Sequence, residues 1–134
     1  MLTNEVEKIM NRDTYDLEDR LINFSMLVIK IGETLPKTEA GRYLSGQIIR
    51  SGMSSALVYG EAQSAESRKD FIHKISIMLK ELRETRINMK IILKKGFMTD
   101  RSLLTNCLQE VDELISIFVK SLQTARKNGR KDVE

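Results

Sequence analysis

Apolar residues in this chain recur at alternating intervals of four and three along four separate stretches, and this rhythm constrains the fold more than any other feature. It is the spacing of one face of an α-helix. No alternating, strand-like pattern competes with it. Composition agrees: Gly is sparse, Pro occurs once, at Pro36, and Leu, Ile, Met, Lys, Glu and Arg outweigh the β-branched Val.

The first helix is expected to begin near Tyr15 or Asp16, with Leu17, Leu21, Phe24, Val28 and Ile31 on its apolar face. Asp16, Glu18 and Asp19 suit the positive end of its dipole. Pro36 pushes Leu35 out of helical geometry and ends the element. The second helix reads from about Glu39 to Ala65, with Leu44, Ile48, Ser51, Ser55, Val58 and Ala62 in one stripe. The middle of that stripe is small (Ser51, Gly52, Ser54, Ser55), which suits either close helix approach or a polar channel.

Ser67 and Asp70 have the spacing of a capping box that opens a third helix. Its stripe is Phe71, Ile75, Met78, Leu82, Thr85 and Met89, and Gly96 suits its C-cap. Thr99 is the expected N-cap of a fourth helix bearing Leu104, Leu108, Val111, Ile115, Phe118 and Leu122. Beyond Arg126 no apolar partner remains, so fraying is expected there. Three short connections between long amphipathic helices imply an all-α, antiparallel up-down-up-down four-helix bundle over residues 14–127. Residues 1–13 form an N-terminal arm and 128–134 a flexible basic tail in this reading.

The chemistry-bearing residues are few. His73 is the single histidine and Cys107 the single cysteine, so neither a His/Cys metal set nor a Ser-His-Asp or Cys-His pair assembles. Gly41 to Gly46 lacks the Lys-Ser/Thr that would complete a phosphate-binding loop. The expectation is a protein without catalytic residues, cofactor, metal or small-molecule substrate. A lone cysteine suggests a reducing compartment. The polar, acidic start and the lack of an apolar run of ~18–20 residues point to a cytoplasmic protein that does not enter the membrane.

Charge is distributed unevenly. Residues 68–95 carry nine Lys and Arg against three acids, a local +6 in a chain whose total is +3. Residues 1–35 sum to −3, and the remaining two segments are neutral. Within the third helix, Arg83, Arg86, Lys90 and Lys94 follow one another at three, four and four, forming a ridge that can neutralise successive phosphates of RNA or DNA. The competing reading is a solvated face, or one satisfied by acids of a neighbouring helix or subunit.

The third helix also carries a second series, His73, Ile77, Lys80, Glu84, Ile87 and Ile91, opposite its core stripe. Ile49 and Leu57 likewise point away from the second helix's stripe. Apolar residues aligned along a helix back mark an interface, so a homo-oligomer is expected. The acidic first helix of one subunit can meet the basic third helix of the next in a head-to-tail ring. Arg50 and Glu61 share one flank of the second helix and are expected to fix helix register, Arg50 through Glu81 or Glu84 and Glu61 through a basic group; a ligand-binding role is the alternative.

The runs Gln47-Ile48-Ile49-Arg50-Ser51-Gly52, Tyr59-Gly60-Glu61-Ala62, Ser67-Arg68-Lys69-Asp70-Phe71-Ile72 and Lys74 to Glu84, with Leu35-Pro36 before the second helix, resemble a bacterial family of four-helix bundles. It is named for proteins encoded in intervening sequences of large ribosomal RNA genes. The resemblance covers about residues 14–125 and implies an antiparallel bundle assembled as a homopentameric ring, with no catalytic residues. A related branch, the accessory protein of diversity-generating retroelements, implies binding to a reverse transcriptase and nucleic acid; the modest net charge here departs from that branch. Three roles follow: a ring binding nucleic acid through the ridge, a protein-interaction scaffold without nucleic acid, or a reverse-transcriptase accessory subunit.

Overall fold

The computed structural model describes residues 17–133, with side chains as far as Gly129. Four helices follow in order: α1 (Leu17–Thr34), α2 (Glu39–Gln63), α3 (Arg68–Lys95) and α4 (Arg101–Val133). The predicted start at Tyr15 or Asp16 and the arm 1–13 lie outside the described residues. No strand occurs among the described residues.

Contacts between neighbours run in opposite directions along the chain. Arg50 bonds Glu81 while Glu61 bonds Lys74, and Ser25 bonds the Gly52 carbonyl while Gly32 meets Ile49 and Ser45. Arg86 meets Asp112 while Gly129 lies beside Arg68. Consecutive helices are therefore antiparallel, and α4 closes against α1. Phe24, Val28, Ile48, Ile75, Leu82, Met89, Leu104 and Leu114 are fully buried at the centre, each contributing about 1.5–3 kcal/mol by leaving water. Tyr59 and Phe118 meet edge to face, with ring centroids 5.4 Å apart.

The small residues of α2 serve close packing. Ser51 and Ser55 are fully buried. The Ser51 hydroxyl bonds that of Thr85 on α3 at 2.8 Å, and Ser55 donates to the Gly52 carbonyl at 2.7 Å, so no buried hydroxyl here is left without a partner. A Cβ added at Gly52 would stand 2.6 Å from Val28 Cγ1; glycine lets α1 lie directly on α2.

Caps explain the helix ends. The Thr38 side chain accepts the Gly41 N–H at the start of α2, and Ser67 accepts the Asp70 N–H at the start of α3. Gly96, left-handed at φ 72, ends α3. At α4 the cap is Asp100 rather than Thr99: its carboxylate accepts from the Leu103 N–H and the Ser102 hydroxyl. Those bonds to the charged form hold its pKa below the usual carboxylate value. The end of α4 also differs from expectation, because the backbone stays helical to Val133. Gly129 packs near the Arg68 side chain, a neighbour on α3 that the apolar pattern of α4 alone does not reveal.

Candidate functional site

The two flanks of α3 place its cations differently. Toward α2, Arg50 donates to Glu81 at 3.2 Å and also to Glu84, and Lys74 donates to Glu61 at 3.2 Å. The hydrogen bond to Glu84, then the charges of both carboxylates, raise the Arg50 pKa. Arg50 and Glu61 thus bridge α2 to α3 at separate heights. Exposed pairs of this kind contribute only about 0.2–1 kcal/mol each, so they set register more than stability.

Toward α4 the ridge is open. Arg83, Lys90 and Lys94 are exposed, and none forms an ion pair with a described residue. Arg86 departs from the other three. It turns into the α3–α4 seam and donates to Asp112 at 3.2 Å, and its Nε is buried without a protein acceptor. An unpaired buried donor costs about 1–3 kcal/mol, which marks Arg86 as a group held in the seam. Arg126 of α4, exposed and likewise without an ion pair among the described residues, extends the open row beyond Arg83 instead. Arg126 lines a recess together with Arg83. The packing of α4 on α3 brings it there; in the sequence it stands at the end of the expected fourth helix, outside the charged ridge read on the third.

The candidate interface residues fall into two groups. Leu57, Ile87 and Ile91 are 67%, 54% and 46% exposed, and His73 is exposed beside them on the outward series of α3. Ile77 is half-buried, and Glu84 is occupied by Arg50. Ile49 does not belong with the outward set. It packs against the core in the α1–α2 seam, where a Cβ on Gly32 would come within 2.6 Å of its Cγ1. The exposed apolar surface instead includes Ile22 and Met26 of α1 and Met53 of α2.

The α1–α4 closure depends on a contact that sequence reading did not identify. Arg20 holds Glu110 with two side-chain nitrogens, the Nη2 to Oε1 distance being 2.7 Å, and the same Nη2 reaches Glu113 at 2.7 Å. A charge pair ninety residues apart carries no local sequence signal.

Cys107 is fully buried. Loss of solvent, with a smaller effect from Glu110, pushes its thiol up to about 12, so it behaves as a small core residue rather than a nucleophile. No group of three or more His, Cys, Asp or Glu among the described residues is placed to hold a metal ion. A cleft of about 770 Å3 lies at the bundle end formed by Leu17, Ala62, Phe71, Ile117 and Ala125, with Arg68 and Lys120 the charged residues of its described lining. No helix among the described residues is long and apolar enough to cross a membrane.

Comparison with known proteins places this geometry. No curated protein is a significant match. A crystal structure from Bacteroides thetaiotaomicron VPI-5482, described as a protein of unknown function from the S23 ribosomal protein family, superposes with a TM-score of 0.73 at 26% identity. The match covers 79% of this chain and 97% of that one. The family model for 23S rRNA-intervening sequence proteins matches residues 15–120, through all four helices. This chain belongs to the 23S rRNA-intervening sequence protein family.

Proposed function

We propose that this protein is a non-enzymatic, ring-forming bundle that binds the phosphates of RNA or DNA along the α3–α4 flank. The observation that carries the reading is the row Arg83, Lys90 and Lys94 of α3 with Arg126 of α4, exposed and without ion pairs among the described residues, on the flank of α3 opposite the one matched to acids of α2 and α3. Arg83 and Lys94 lie ~16 Å apart along the helix axis at 1.5 Å per residue, enough to follow several nucleotides. Such contacts act by charge, so binding is salt-sensitive and indifferent to base sequence. With Phe71 and Phe97 half-buried and Phe118 buried, the described residues of α3–α4 offer no row of exposed aromatics for base stacking.

The ring is part of the same proposal. Ile22, Met26, Met53 and Leu57 expose apolar area on α1 and α2, and Ile87 and Ile91 do so on α3; aligned exposed apolar residues suit burial against another copy. A second reading, a protein-interaction module without nucleic acid, draws on this same surface.

The test combines charge reversal and mass. R83E/K90E/K94E should lose RNA retention at low salt while keeping the parent's oligomer mass in light scattering. Unchanged retention rejects the flank. If the parent retains no RNA and the substitutions dissociate an oligomer, the interaction module is the better account. A monomer mass for the parent at micromolar concentration rejects the ring.

A further inference from the structure

Arg83 of α3 and Arg126 of α4 line one recess of about 360 Å3 in the groove between the two helices. The remaining described lining comes from Leu79, Val119, Leu122, Ser76 and Gln123, none of them an acid. Three features distinguish it from ordinary basic surface. The two arginines come from different helices, so the bundle itself brings them to one recess. Neither has a carboxylate partner among the described residues, whereas Arg86, one turn along, is already committed to Asp112. Leu79, Val119 and Leu122 give the recess an apolar wall beside the two arginines, so it is a shaped hollow rather than a flat charged face.

The donors also suit an oxyanion. Each guanidinium presents a planar fork of N–H groups that matches two oxygens of a phosphate, unlike the point charge of lysine. The Gln123 amide supplies a neutral donor on the same lining. The Ser76 hydroxyl is spent on the Ile72 carbonyl at 2.8 Å and leaves the phosphate to the other three groups.

We infer that this recess seats a single phosphate group of a polynucleotide, held between Arg83 and Arg126 while Lys90 and Lys94 supply only diffuse charge. The source of the phosphate rests on the nucleic-acid reading above; the seat itself rests on the recess.

The experiment uses the full chain, with R83K and R126K as variants that keep charge but lose the fork. Helicity by circular dichroism checks that both remain folded. Binding of a 12-nucleotide single-stranded RNA is followed by fluorescence anisotropy at low salt. Each variant should weaken binding about five- to tenfold, whereas K94R should not. In a second arm, inorganic phosphate is titrated while the Arg83 and Arg126 Nε–Hε NMR signals are followed. Both signals should move in the parent, and the signal that remains in each single variant should not.

If the parent binds RNA and both Lys variants bind it equally well, the seat is overturned while the charged flank stands. If the parent binds no RNA, the nucleic-acid reading fails. Phosphate shifts that the Lys variants abolish would then support the seat and assign it to a free anion, overturning its polynucleotide source. Absence of those shifts would overturn the seat itself.

Discussion

The two flanks of α3 are built from the same residue types and end in opposite electrostatic states. Facing α2, cations and acids alternate across the seam: Arg50 with Glu81 and Glu84, Lys74 with Glu61, and buried Ser51 bonded to Thr85. Along the α3–α4 seam, Arg83, Lys90 and Lys94 of α3 and Arg126 of α4 have no acid partner among the described residues, while Asp112 is bonded to Arg86. The contrast lies in where the charge of α3 is spent, and the nucleic-acid proposal rests on it. One flank consumes it in setting helix register, while the other leaves it available to a partner.

The sharpest separation between the flanks comes from overpacking the closed one. Ser51→Leu forces a larger side chain against Thr85 and should cost about 2–3 kcal/mol, visible as a lower urea midpoint. RNA affinity should be unchanged at temperatures where the variant is folded. A loss of affinity without a loss of stability would break the comparison.

On the open flank the expected pattern is reversed. K90Q/K94Q should weaken RNA binding on the order of tenfold at low salt, with the unfolding free energy from urea titration within about 0.5 kcal/mol of the parent. Next in size is Arg50→Ala. It removes an exposed two-carboxylate contact and should cost about 0.5–1 kcal/mol, leaving RNA affinity as it was.

The smallest effect sharpens the boundary between the flanks. Asp112→Asn removes the one acid bonded to the ridge and should tighten RNA binding about two- to fourfold in the same anisotropy assay. Weaker binding would show that the Arg86–Asp112 pair shapes the surface rather than merely neutralising part of it.

A pH experiment tests the core independently of charge. Cys107 ionises near 9.0 as a free group and at about 12 in the fold. Below the first value both states hold the proton and the thiol leaves stability unchanged. Between the two the unfolded chain releases it first, so the thiol's contribution to stability falls as pH rises. At pH 9 iodoacetamide should label Cys107 in urea and leave it intact in the native protein.

Local signals made much of this legible in the sequence. The four-three stripes identified the core of every helix, Ser67 and Gly96 bounded α3, and the flank shared by Arg50 and Glu61 pointed to bonds with α3. What escaped depended on long-range placement. Arg20 finds Glu110 only when α4 closes on α1, and Arg126 shares a recess with Arg83 only when α4 packs on α3. Ile49 sits apart from its helix's stripe yet packs against the core, because Gly32 on α1 leaves it room. Thr99 and Asp100 are adjacent capping residues, and the carboxylate bond to the Leu103 N–H decides between them.

The most direct test of the open flank is the slope of log K against log salt for single-stranded RNA, comparing the parent with R83Q/K90Q/K94Q. At about 0.7 counterions released per phosphate contact, the three substitutions should flatten the slope by about two. Parallel lines for the two proteins would contradict the assignment of nucleic-acid binding to α3–α4.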